Sequence, residues 1–140
     1  MPDDVGVAAW ARLFRVYKVL LEGAEADLKS AGLPSLSWYD VLLEVYRAPK
    51  AGIRQNELGE QVLLPKYNLS RLLDRLEAQG LVERYTCAED KRGSSVCITA
   101  SGRTMLKRMW KVYGKTIDQR FAQQLTQEEM RELLKILTKL

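Results

Sequence analysis

Histidine is absent from these 140 residues, which removes the commonest general base and every Ser-His or Cys-His nucleophile pair. Cys87 and Cys97 are the only cysteines, too few for the usual zinc spacings or for a secreted disulfide framework. None of the nine glycines falls in a phosphate-cradling motif. No enzyme, metal or cofactor is therefore expected. Only four prolines occur, and no stretch of about 18 apolar residues is present, so neither wholesale disorder nor a membrane span is expected. The opening segment, Met1 to Val7, carries Asp3 and Asp4 where a secretory signal would carry basic residues. A cytoplasmic location is the expectation.

What is present suits one compact domain or one subunit of an oligomer. The net charge is +4, a modest excess that fits a polyanionic partner without establishing one. From about Val7 to Lys29, Trp10, Leu13, Phe14, Tyr17, Leu20, Leu21, Ala24 and Leu28 recur at three- and four-residue steps, the stripe of a long helix. Trp38, Val41, Leu42 and Val45 predict a second helix, with Ser37 as N-cap and Asp40 as its N3 acid. A short helix is expected from Arg54 to Gln61. The next is read as starting at Pro65 and ending at Gly80, with Leu69, Leu72, Leu73 and Leu76 on one face.

Beyond Gly80 the period changes. Leu81 to Cys87 and Ser94 to Thr99 read as two strands of a hairpin whose tip holds Asp90, Lys91 and Arg92. A long helix from Ala100 to Gln124 follows, and Thr126 with Glu129 forms a capping box for the last one. The fold class is thus mainly α, about six helices with a small β-hairpin wing: a winged helix-turn-helix between strongly striped terminal helices. In so short a chain those ends cannot cover each other while leaving the centre free, so an intertwined homodimer is expected, with intrachain packing as the alternative.

On the helix read from Pro65, a step of 100° per residue puts Lys66, Tyr67, Ser70, Arg71 and Asp74 away from the leucines, with Asn68 and Arg75 on a flank. Arginine suits a bidentate contact to guanine, serine and lysine suit phosphate, and asparagine suits adenine or phosphate. An ordinary solvated face has the same composition. The adjoining basic hairpin tip favours double-stranded DNA, because Lys91 and Arg92 fit a minor groove while Asp90 orients Arg92. A winged helix can also bind protein, although Tyr67 is the only aromatic on this face and protein hot spots are usually aromatic.

The run Tyr67-Asn68-Leu69-Ser70-Arg71-Leu72-Leu73-Asp74-Arg75-Leu76-Glu77-Ala78-Gln79-Gly80-Leu81-Val82-Glu83-Arg84, followed by Asp90-Lys91-Arg92 and Ile98-Thr99-Ala100-Ser101-Gly102-Arg103, resembles the recognition helix, wing and next helix of MarR-family regulators. Upstream, Tyr39-Asp40-Val41-Leu42 and Asn56-Glu57-Leu58 extend the likeness. The resemblance implies a single domain over residues 1–140, with dimerisation helices at about 1–34 and 100–140 and a winged module at about 35–99. It implies a homodimer on a pseudo-palindromic operator, acting as a repressor that a small phenolic or other aromatic acid releases from a crevice beside the winged module. Trp10, Trp38 and Tyr39 are candidates for such a crevice, with Arg71 or Arg84 facing an anion, though aromatics at helical spacing also build cores. The urate-responsive branch is similar at Trp10, Asp40, Arg71 and Arg84, so a urate-like effector is a further expectation. Cys87 and Cys97 on opposite strands would permit a redox-responsive wing, against which stands the plain reading of two small sheet residues.

Overall fold

In the computed structural model the described residues are 1–63, 68–86 and 94–140, with the backbone alone at 86 and 94. The helices are α1 (Asp4–Ser30), α2 (Leu36–Arg47), α3 (Gln55–Gln61), α4 (Leu69–Ala78), α5 (Ala100–Arg120) and α6 (Gln127–Thr138). The strands are β1 (Ile53–Arg54), β2 (Val82–Thr86) and β3 (Ser94–Ile98), and a single 3₁₀ turn, Ala122–Gln124, precedes α6. The chain divides into two units: Met1–Gly32 with Lys111–Leu140, and Leu33–Trp110.

The second unit has a continuous apolar core. Leu36, Val41, Leu42 and Val45 of α2, Leu58 of α3 and Leu72, Leu73 and Leu76 of α4 are buried with Val82 and Val96 of the sheet and Leu106 and Met109 of α5. The α4 leucines are those of the sequence pattern, and their burial leaves the opposite face of that helix in solvent. At its end Gly80 takes φ +72°. The Leu81 N–H donates to the Leu76 carbonyl (2.9 Å) and the Gly80 N–H to that of Glu77 (2.9 Å), the paired bonds of a Schellman stop.

Thr99 closes the hairpin at its base. Its hydroxyl donates to the Gly80 carbonyl (2.6 Å) and accepts from the Gly102 N–H (3.0 Å), while its own N–H donates to the Leu81 carbonyl (3.1 Å). The end of α4 and the start of α5 are thereby held at one point.

The sheet has three strands in the order β1-β3-β2, all antiparallel. The two-strand hairpin of the sequence reading is therefore extended by β1, where Ile53 pairs with Val96. Two residues carry no alternation, so that strand has no periodic signal. Gly52 leads into it at φ +92°, and a Cβ there would stand 2.7 Å from the Cys97 Sγ and 2.8 Å from the Val96 carbonyl oxygen.

Three helix starts can be compared with expectation. Thr126 and Glu129 form the capping box of α6, as read from their spacing. The α2 cap is Ser35 rather than Ser37, and Asp40 is not a capping acid: its buried carboxylate accepts the Leu63 N–H at 2.8 Å. The helix read as starting at Pro65 begins at Leu69, because the Asn68 side chain accepts the Arg71 N–H (3.1 Å) and caps it there.

In the first unit, Ala24 and Leu28 of α1 are buried, together with Thr116 of α5. Asp27 joins these two helices through Arg120 Nη2 (2.8 Å), Arg120 Nε (2.9 Å) and the Thr116 hydroxyl (2.7 Å). The Arg120 and Thr116 hydrogen bonds hold the Asp27 carboxyl down to about 2 against an ordinary 3.8. A depressed folded-state value stabilises the fold above the ordinary carboxylate range and ceases to do so as pH falls towards 2. The melting-temperature advantage of wild type over Asp27→Asn is accordingly expected to be full at pH 5 to 7, to shrink between about 4 and about 2, and to vanish below. A pH-independent difference between the two proteins would contradict the pairing.

Candidate nucleic-acid interface

The outer face of α4 is the first part of the site. Ser70, Arg71, Asp74 and Arg75 are exposed, as is Asn68 at the cap, while the leucines face inward. Capping fixes the Asn68 oxygen on a backbone N–H, which corrects the view of Asn68 as a residue on a helix flank. The Ser70 hydroxyl accepts a hydrogen bond from Gln55 Nε2 at 3.0 Å, tying the first turn of α3 to the first turn of α4. Gln55 was not among the sequence candidates; it lies 15 residues from Ser70, and only the helix-turn-helix brings them together. Lys66, Tyr67, Asp90, Lys91 and Arg92 lie outside the described residues.

Arg84 on β2 is the second part. Its Nη2 lies 2.5 Å from Asp74 and 3.0 Å from Glu77, and its backbone N–H donates to the other Glu77 oxygen at 3.2 Å. Hydrogen bonding to Arg84 holds the Glu77 carboxyl below its ordinary range, and the same acids, Glu77 first and Asp74 second, raise the Arg84 guanidinium further. Arg84, a sequence candidate for facing an anionic effector, is thus paired with two acids of its own chain. Glu77 and Arg84 are seven residues apart across the Gly80 stop, a separation that has no meaning until the chain reverses there.

The remaining ligand candidates fall in different units. Trp10 of α1, in the first unit, is exposed and packs on Phe14 with ring centres 4.9 Å apart and planes tilted by 58°. Trp38 and Asp40 belong to the second unit, Trp38 half-buried and Asp40 buried on the Leu63 N–H. Tyr39 stacks on Trp110 at 6.3 Å, an aromatic pair whose α5 member was not among the sequence candidates. Cys97 faces Glu83 across the ladder, with its Sγ 3.7 Å from the Lys50 carbonyl oxygen; Cys87 lies outside the described residues.

A polar helix face that carries Arg71 and Arg75, and a strand fixed to it, in front of a leucine core, can present donors to phosphates and base edges together. Among the described residues no group of three or more metal-ligating side chains occurs, and no helix is long and apolar enough to cross a membrane.

Comparison with known proteins agrees with this geometry. Residues 31–93 match a sequence model of the MarR family. Among solved structures, the chain is similar to AbsC, a MarR family transcriptional regulator from Streptomyces coelicolor, with 26% identity, TM-score 0.83, and coverage of 98% of this chain and 92% of that one. It is similar to S. aureus MepR, solved as a DNA complex, with 26% identity, TM-score 0.76, and coverage of 93% and 94%. A mutant MarR from E. coli complexed with operator DNA gives 26% identity and TM-score 0.77 over 95% of this chain and 94% of that one.

Proposed function

The chain belongs to the MarR family of winged-helix DNA-binding transcriptional regulators, and from that premise we propose that it is a cytoplasmic homodimeric repressor of a pseudo-palindromic operator. Ser70, Arg71 and Arg75 of α4, with Lys66, Tyr67 and Asn68 before them, meet the major groove, and Asp90, Lys91 and Arg92 act at the minor groove. The observation that carries this reading is the exposed polar face of α4, linked through Ser70 to Gln55 and through Asp74 to β2. Two-fold symmetry sets the half-sites about one helical turn, roughly 10 base pairs, apart.

Dimerisation is supported by the first unit. Trp10, Leu13, Phe14 and Tyr17 of α1 and Leu134 and Leu137 of α6 are exposed, although their spacing is that of buried stripes. Exposed apolar stripes on this scale call for a partner. Phe14→Glu combined with Leu134→Glu is expected to sediment at the mass of one chain where wild type sediments at twice that. Its operator affinity is expected to fall by at least about 100-fold as the second half-site is lost.

Release is assigned to a small aromatic or anionic effector, of phenolic-acid or urate-like chemistry, for which Trp10, Trp38, Asp40, Arg71 and Arg84 are the candidate residues. The founding experiment is fluorescence anisotropy on a duplex from the region upstream of the gene, against a shuffled duplex. Tight, salt-sensitive binding that prefers the native duplex is the expected result, and titration of salicylate and urate into that complex then tests release. Equal weak binding to both duplexes would remove the regulator reading for that region.

A further inference from the structure

Asp74 is an acid in an awkward place. It follows Ser70 by four residues and Arg71 by three, so its carboxylate shares the helix surface assigned to DNA. A carboxylate there repels phosphate and competes with a base edge for the donors of Arg71. The structure shows where that charge is taken up: the Arg84 guanidinium holds Asp74 at 2.5 Å and Glu77 at 3.0 Å through the same Nη2 atom. The Arg84 side chain is 22% exposed, against 63% for Asp74 and 42% for Glu77, so the cation sits beneath the two acids rather than out in the solvent they face.

The attachment is more than an ion pair. Glu77 spends one oxygen on the Arg84 guanidinium and the other on the Arg84 backbone N–H. Since β2 is an end strand of the sheet, that N–H lies on an open edge and would otherwise go to water. One α4 side chain therefore fixes both the backbone and the side chain of one β2 residue, and the helix and the wing strand are held in register with each other.

We propose that Arg84 is a positioning residue for operator reading: it withdraws the Asp74 carboxylate from Arg71 and locks β2 to α4, so that recognition helix and wing enter DNA as one rigid reader. The proposal rests on the DNA-reading role of α4 given above. Arg84 acts through Asp74, Glu77 and Arg71 and makes no DNA contact of its own. Because both acids are held by one nitrogen, a lysine ammonium, with three donors of its own, is the conservative substitute.

Wild type, Arg84→Gln, Arg84→Lys, Glu77→Gln and Arg84→Gln with Asp74→Asn are to be compared by anisotropy on native and shuffled duplexes over a salt series. Amide exchange of the free proteins is measured in parallel. Arg84→Gln is expected to lose about fivefold in native-over-shuffled preference, a size usual for directly coupled groups, whereas Arg84→Lys, whose ammonium can still donate to both acids, is expected to keep most of it. The log–log salt slope stays at the wild-type value, and Asp74→Asn restores most of the preference in the Arg84→Gln background. Glu77→Gln speeds exchange of the Arg84 amide. A slope lowered by about 0.9 per half-site, with no rescue by Asp74→Asn, would make Arg84 a phosphate contact and overturn the proposal. So would an unchanged preference in Arg84→Gln. Should wild type itself show no preference, the regulator reading is what fails. An Arg84 amide exchanging as fast as an open-edge amide, indifferent to Glu77→Gln, would then overturn the lock independently.

Discussion

Gly102→Ala is expected to destabilise the protein by about 3 kcal/mol or more, a fall of roughly 10 °C in melting temperature for a chain of this size. Gly102 is buried in the first turn of α5 in ordinary helical conformation, and its N–H is held by the Thr99 hydroxyl. The difficulty is space. A Cβ at this position would stand 2.1 Å from the Leu81 carbonyl oxygen and 2.8 Å from an Ile98 methylene. The carbonyl cannot retreat without giving up the bond it accepts from the Thr99 N–H. Gly80→Ala is the instructive control: Gly80 needs φ +72°, yet nothing lies within 4 Å of its missing Cβ. It is expected to cost only the left-handed penalty, about 1 to 2 kcal/mol. Thermal melts of the two variants should rank Gly102→Ala well below Gly80→Ala. The reverse order would mean that α5 can shift away from Leu81 at little cost.

The operator complex is expected to weaken by a factor on the order of 10³ or more between about 50 and about 200 mM salt, provided some six phosphates are neutralised by the dimer. In a dimer, Arg71, Arg75, Lys66, Lys91 and Arg92 would supply ten cations, enough for that number. Within this total, two arginines should separate by kind of effect. Arg92→Ala lowers the salt slope by about 0.9 per half-site and weakens native and shuffled duplexes alike. Arg71→Ala lowers the preference itself, by at least about 30-fold over two half-sites if each arginine makes a bidentate contact to guanine. A normal preference in Arg71→Ala would take base reading away from this residue and leave it a solvated arginine.

The sequence pattern located the helices wherever a buried face repeats every three to four residues, and α4 shows why that worked. Of the four leucines that the period assigned inward, Leu72, Leu73 and Leu76 are buried and Leu69, in the first turn, is half-buried. Side-chain caps were legible when both partners lay within one turn, as with Thr126 and Glu129. They were misplaced when a neighbouring hydroxyl offered a rival: Ser35 and Ser37 are equally good caps on paper, and Pro34 just before Ser35 does not decide between them. Asp40 was misassigned for a different reason. Its partner is a backbone N–H 23 residues away, and a backbone group has no side-chain identity by which a sequence can announce it. The same limit hid β1, whose two residues owe their strand conformation to pairing with β3 rather than to any alternation of their own.

The candidate site was legible as a surface and illegible as a mechanism. Ser70, Arg71 and Arg75 are outward because the leucines are inward, which geometry alone dictates. That Ser70 would be met by Gln55, and Arg84 by both Asp74 and Glu77, depends on side chains from different elements arriving at one place. Residue type says that Arg84 will seek an acid; only the chain reversal at Gly80 says which.

The bonds around Thr99 also bear on how such a protein can change over generations. Since the feet of the hairpin are fastened to the helices on either side by Thr99, Gly80 and Leu81, a substitution on an outward position of β2 or β3 leaves the junction of α4 with α5 in place. The strands can therefore vary without disturbing the helices, whereas a change at Gly80 or Thr99 reaches both helices and the sheet at once.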